Sequence, residues 1–113
     1  MEDRYLFRGK RTGNGKWVIW DAITGIPHDL YIQTKTICQC TGHKDKNSNL
    51  IWENDIVKTQ YGKAVVVWDK SEWRIKWIDD LIWRKDLHYW VNDNSWRIEV
   101  IGNKFDNPEL LEA

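Results

Sequence analysis

Short runs of β-branched and aromatic residues, separated by dense turn residues, set the hydrophobic pattern of this chain and predict strands in preference to long helices. Residues 5–10 and 16–20 flank Thr12-Gly13-Asn14-Gly15, whose Asn-Gly pair is the strongest short hairpin signal a sequence offers, so the first two strands are expected to pair. Residues 31–40 read as a third extended stretch, followed by a polar loop over 42–49. Residues 55–59 and 63–68 flank the tight Gln60-Tyr61-Gly62 and make a second expected hairpin. Trp73, Ile75 and Trp77 alternate with Arg74 and Lys76, and Trp96, Ile98 and Val100 alternate with Arg97 and Glu99. Both are period-two patterns with one buried face, so these six apolar residues are expected to line the core.

Residues 78–90 fit two periods at once. Leu81, Ile82 and Lys85 suit a helical turn, whereas Leu87, Tyr89 and Val91 alternate as in a strand; the stretch is assigned to a further hairpin or an irregular loop. At the end, Asn107-Pro108-Glu109 has the order of N-cap, first helical position and acidic first turn, which starts a short helical turn packed by Leu110 and Leu111. The expected architecture is mainly β: a small, strongly curved antiparallel sheet or an SH3-like barrel with a short C-terminal helical turn, as a single domain over residues 1–113.

Composition changes this picture in two ways. The 17 basic and 17 acidic residues cancel, so no whole-molecule field draws the protein to a phosphate backbone. Nine tryptophans, each hiding about 200 Å² when buried, present more apolar surface than one small core readily absorbs. The surplus is expected to face a partner, as interface centres are rich in Trp, Tyr and Arg. Around Leu81-Ile82-Trp83 and Tyr89-Trp90, bulky apolar residues occupy consecutive positions that one strand or helix face cannot bury together. Trp83 and Trp90 are therefore the expected binding residues, in the interface of a homo-oligomer. The opening Met1-Glu2-Asp3-Arg4 lacks the order of a signal peptide, and the apolar run 64–68 is far short of a membrane span, so a soluble cytoplasmic protein is expected.

Candidate chemistry is sparse. Cys38, Cys40 and His43 have ligand-like spacing, yet a structural zinc needs a fourth ligand, and His28 and His88 fall outside any such spacing. No metal, no cofactor and no Cys38–Cys40 disulfide is expected. Asp55, Glu72 and Arg74 imitate a nuclease triad whose third member is normally lysine, and arginine does not replace it. Ser48, Ser71 and Ser95 lie in polar turns without a nucleophile elbow, and the seven glycines are scattered. No catalytic residue is assigned. Trp73-Arg74-Ile75-Lys76-Trp77, Trp83-Arg84-Lys85 and Trp96-Arg97 interleave aromatic and basic residues as a single-stranded nucleic-acid platform does. Strand alternation opposes that reading, because it sends indoles and cations to different faces.

Three separated phrases stand out: Phe7-Arg8-Gly9-Lys10; Thr41-Gly42-His43-Lys44-Asp45-Lys46-Asn47-Ser48 running into Glu53-Asn54-Asp55-Ile56-Val57; and Val100-Ile101-Gly102-Asn103-Lys104-Phe105-Asp106-Asn107-Pro108-Glu109-Leu110-Leu111. In this order and spacing they resemble the YopX family, small proteins of phages and prophages in low-GC Gram-positive bacteria. The resemblance spans nearly the whole chain, with residues 61–92 matching only in pattern. It implies a phage or prophage origin, a bacterial host cytoplasm and no particular reaction. Where family members usually carry an apolar residue and two glycines, this chain has His43, Ser48 and Asn54. Asn54 is expected to keep a left-handed turn, and Asn49 to take that duty over from Ser48. The expected function is a non-catalytic protein-interaction or assembly module whose partner is a further copy of the chain or a phage or host protein. A single-stranded nucleic-acid binding module is the alternative.

Overall fold

The computed structural model describes residues 2–78, 85–91 and 97–112. Strands β1 (Leu6–Lys10), β2 (Trp17–Asp21), β3 (Cys38–Lys44) and β4 (Leu50–Trp52) form a four-stranded antiparallel sheet in the order β2-β1-β3-β4. Strands β5 (Asp55–Thr59), β6 (Gly62–Asp69), β7 (Glu72–Trp77) and β8 (Glu99–Asn103) form a second in the order β7-β6-β5-β8. The fold is mainly β, as the alternation predicts. Among the described residues no pairing closes either sheet, so the SH3-like barrel gives way to two open sheets. No described helix is long and apolar enough to cross a membrane.

Both expected hairpins are present. β1 and β2 pair one to one from Leu6↔Asp21 to Lys10↔Trp17, and the Arg11 carbonyl accepts from the Gly15 N–H at 3.0 Å, with Gly15 at φ 69°. β5 and β6 pair up to Thr59↔Gly62, leaving Gln60 and Tyr61 as a two-residue turn held by a 3.0 Å bond from the Tyr61 N–H to the Thr59 hydroxyl. A third hairpin joins β6 to β7 through Lys70 and Ser71, both at positive φ (52° and 62°), the geometry that matches strand twist.

Other segments depart from expectation for local reasons. Residues 31–40 are not one strand: Ile32 makes an isolated bridge to Arg11, Thr34–Thr36 is a 3₁₀ turn, and β3 starts at Cys38. The Thr36 hydroxyl accepts from the Lys10 N–H at 2.8 Å and donates to the Gln33 carbonyl at 2.6 Å, drawing backbone groups out of a ladder. The loop expected over 42–49 is shorter, because β3 continues to Lys44 and Leu50–Trp52 returns beside it as β4. Asn54 holds the left-handed turn as expected (φ 70°), whereas Ser48 itself keeps φ 65° instead of passing that duty to Asn49. Leu87–Val91 is a short helix, α1, in place of a hairpin strand or loop: Leu87, Trp90 and Val91, at helical spacing, are its buried residues. Residues 79–84 lie outside the described residues. The C-terminal turn, Pro108–Leu111, forms, but Leu111 is exposed and Leu110 only half-buried, so it is not a packed turn. Asn107 does not cap it; its Oδ1 accepts from the Asn103 N–H at 3.2 Å instead.

The main core lies on one face of the second sheet. Val57, Ala64, Val66, Ile75 and Trp77 pack there with Ile98, with Leu87, Trp90 and Val91 of α1, and with Ile51 of β4; Trp73, Tyr89 and Val100 border it. Of the six expected core residues, Ile75, Trp77 and Ile98 are buried, Trp73 and Val100 are half-buried, and Trp96 lies outside the described residues. The first sheet keeps its own close packing around Gly9, where a Cβ would stand 2.6 Å from Ile32 and 3.2 Å from Trp20. Only glycine fits there.

Candidate functional site

The phrases singled out in the sequence meet where the two sheets join. Arg8 of β1 reaches across to Asp55 at the start of β5, with Nη2 2.8 Å from Oδ1, and its guanidinium lies over Trp17 (4.4 Å) and Trp52 (4.8 Å). The second Asp55 oxygen accepts from the Trp52 N–H at 2.8 Å. Burial pushes the Asp55 carboxyl up to about 6, with Arg8 and the Trp52 N–H pulling the other way. Asp106, just past β8, forms an ion pair with Lys10 and accepts from Trp17 Nε1 at 2.8 Å and from Asn103 Nδ2 at 3.1 Å. Partial burial raises its pKa, but these donors outweigh it and hold the carboxyl down at about 2. The middle phrase does similar work: Asp45 accepts from the N–H groups of Asn47 and Asn49, both at 2.9 Å, and from that of Val100 at 2.8 Å. These side chains are occupied with one another, which is the chemistry of a fastening, not of a reaction centre.

The remaining candidates stay apart. Cys38 and Cys40 are free, buried thiols whose pKa burial raises; Cys38 donates to the Thr36 carbonyl at 3.1 Å. His43 is half-buried, and burial, with His88 adding to it, lowers its pKa. Among the described residues, no three His, Cys, Asp or Glu side chains gather as metal ligands. Asp55 belongs to the junction, while Arg74 is paired with Glu72 (2.8 Å) at the tip of the β6–β7 hairpin, two strands away. In β7, Ile75 and Trp77 are buried while Lys76 between them is exposed, so indole and cation do not share a platform.

Of the two expected interface tryptophans, Trp90 is not at the surface. Trp83 lies outside the described residues. Trp90 is 0% exposed, enclosed at ring-centroid distances of 5.7 Å from Trp77, 6.1 Å from Tyr61 and 5.1 Å from Tyr89. Helical geometry turns it inward, so no face of its indole is left for a partner. Among the described residues the exposed tryptophan is Trp68, at 56%. It opposes Trp73 across β6 and β7, ring edge to ring face at 5.0 Å, and both border an open groove of about 770 Å³. Arg4, Tyr5, Gln39 and His43 form the opposite lining. The Gln39 amide fixes that side by donating to the Arg4 carbonyl at 2.9 Å, and Arg4 lies over the Tyr5 ring at 4.8 Å while pairing with Glu2 at 2.8 Å. The groove thus joins two indoles, a phenol, a guanidinium and an imidazole. The sequence signal for it was Trp-Asp-Lys-Ser-Glu-Trp, which a two-residue turn folds into a facing Trp pair.

Residues 3–112 match the family model described as YopX protein. The chain belongs to the YopX family. A search of curated proteins returned no match. The three phrases that carry the YopX likeness are thus the ones that join the sheets and tie the 45–49 turn to β8, whereas the Trp68–Trp73 groove is built largely outside them.

Proposed function

We propose that this YopX-family chain is a non-catalytic protein-interaction module that docks a protein partner in the Trp68–Trp73 groove. The observation that carries the reading is the half-exposed Trp68 indole standing beside Trp73 above a groove bordered by Arg4 and Tyr5. Trp, Tyr and Arg are the residues in which binding energy concentrates at protein interfaces. The partner is a protein of the phage or of its bacterial host, met in the cytoplasm. The chain's zero net charge and the pairing of the groove's Arg4 with Glu2 favour a protein over a nucleic acid, whose phosphates need unneutralised cations.

The test is a photo-cross-linking residue placed at position 68, with position 76 on the opposite sheet face as control, in cells that carry the natural genetic context. The expected result is one discrete protein adduct at 68 that is absent at 76. Adducts to nucleic acid, or no adduct specific to position 68, would overturn the reading.

A further inference from the structure

Three of the four sheet edges are blunted. Beside β7, the Ile75 N–H donates to the Lys85 carbonyl at 2.7 Å, and Arg74 bridges to Asp86. Beside β8, the Val100 N–H goes to Asp45 at 2.8 Å and the Asn103 N–H to Asn107 at 3.2 Å. β4 is only three residues long, and the Trp52 N–H is taken by Asp55. The fourth edge, β2, is blunted at its end alone, where the Asp21 carbonyl accepts from the Gly25 N–H at 2.9 Å. Its sequence Trp-Val-Ile-Trp-Asp contains no proline, glycine or lysine, its pairing with β1 is free of bulges, and no described strand lies on its outer side. A bare apolar edge of this kind is a template for a further strand.

The phase of the ladder fixes what that edge offers. The Arg11 N–H donates to the Lys16 carbonyl and the Ala22 N–H to the Tyr5 carbonyl, both at 3.0 Å. By antiparallel alternation residues 16, 18, 20 and 22 turn their backbone groups toward β1, so Trp17, Ile19 and Asp21 turn theirs outward. This outward set is symmetric about Ile19, whose side chain is 56% exposed.

We infer that β2 is the contact between two copies of this chain, paired antiparallel about a two-fold axis at Ile19. Ile19 meets its own counterpart and exchanges both backbone hydrogen bonds with it; Trp17 faces Asp21 of the other copy, twice. Such a contact is self-complementary, as a two-fold interface must be. Charge agrees with it. The incoming Asp21 joins the cross-strand row of Trp17 and Lys10, where Lys10 and Arg8 already neutralise Asp106 and Asp55, and the chain's zero net charge sets no repulsion between copies. The backbone hydrogen bond from Thr24, with those from Ile23 and the Thr24 hydroxyl, outweighs desolvation and lowers the Asp21 pKa, so the aspartate arrives as an anion. The contact lies on β2, distinct from the Trp68 groove between β3 and the β6–β7 hairpin, and it rests on the exposed Ile19, whereas Trp90 is buried.

The full chain in solution tests the inference by light scattering and cross-linking. The expected mass is twice 13.6 kDa at tens of micromolar, falling to one chain in Ile19→Lys with an unchanged circular dichroism spectrum. In Ile19→Cys, the two-fold sets the pair about 5.5 Å apart between Cα atoms, within disulfide range, so oxidation yields a covalent dimer. Ile23→Cys, exposed but off the axis, does not cross-link, and the native cysteines stay silent because they are buried. A wild-type mass of one chain, a dimer that persists in Ile19→Lys, or Ile23→Cys cross-linking as readily as Ile19→Cys would each overturn it. Should Ile19→Lys fail to fold, the paired cysteine variants decide alone. Ile19→Lys leaves photo-cross-linking at position 68 intact, so this inference and the proposed function fail separately.

Discussion

Replacing Arg8 by leucine removes the cation that spans the sheet junction and leaves a shorter, apolar side chain in its place. Two losses follow, and they differ in pH dependence. The first is the stacking of the guanidinium over Trp17 and Trp52 at 4.4 and 4.8 Å, worth about 0.5–2 kcal/mol per ring. The second concerns Asp55, whose carboxyl is at about 6 with Arg8 present and rises further without it. Between pH 6 and the new value, keeping that carboxyl protonated while the unfolded chain ionises adds about 1.4 kcal/mol per pH unit. At pH 7 the combined cost is about 3 kcal/mol, at the lower end of what breaking a buried ion pair usually costs. Near pH 5 only the stacking loss remains, and at pH 8 the cost approaches about 4 kcal/mol. Urea unfolding followed by tryptophan fluorescence at pH 5, 7 and 8 measures this directly. Adding Asp55→Asn to Arg8→Leu should abolish the pH dependence while leaving the stacking loss. An equal destabilisation at pH 5 and pH 8 would refute the reasoning, since it would mean that Asp55 does not depend on Arg8.

Three further outcomes are expected. Because the folded Asp55 pKa lies above its unfolded value, its ionised form opposes folding above about pH 6, and that cost is relieved as pH falls from 6 toward 4. Asp106, depressed to about 2, instead supplies stability above about pH 4 that is lost as pH falls toward 2. Urea midpoints should therefore rise from pH 7 to pH 5 in the wild type, and less in Asp55→Asn. Ile98→Ala, at a fully buried core position, should cost about 2–5 kcal/mol in the same assay. Gly102→Ala places a Cβ 2.4 Å from Asn107 Oδ1 and must displace the bond from the Asn103 N–H; a loss of about 1–3 kcal/mol is expected, and it should shrink in an Asn107→Ala background.

Strand alternation and turn chemistry made most of the second sheet legible. Trp73 to Trp77 alternates cleanly, and Gln60-Tyr61-Gly62 marks its turn, because one face meets a core and the other water. β4 was hidden because three residues, Leu50-Ile51-Trp52, carry no period. α1 was misread because Leu87, Tyr89 and Val91 alternate by chance, and only the packing of Trp90 between Trp77 and Tyr61 selects the helical period. The Arg8–Asp55 pair joins residues 47 apart in sequence, a separation over which local pattern carries no information. For the groove, the composition did suggest surplus tryptophan at a surface. It could not say which, since exposure of Trp68 depends on its place beside a two-residue turn at the end of the sheet.

The junction also fixes an order of events during synthesis. The first sheet is built wholly from residues 6–52, so its strands can pair while the ribosome is still translating the second half. Yet Lys10 and Trp17 find their carboxylate in Asp106, and Arg8 in Asp55. Until residue 106 clears the exit tunnel, the nascent chain carries uncovered cations and a bare β2 edge together. A ribosome stalled before that point would hold a half-sheet ready to pair with whatever strand is nearest, including one on the neighbouring ribosome of the same message.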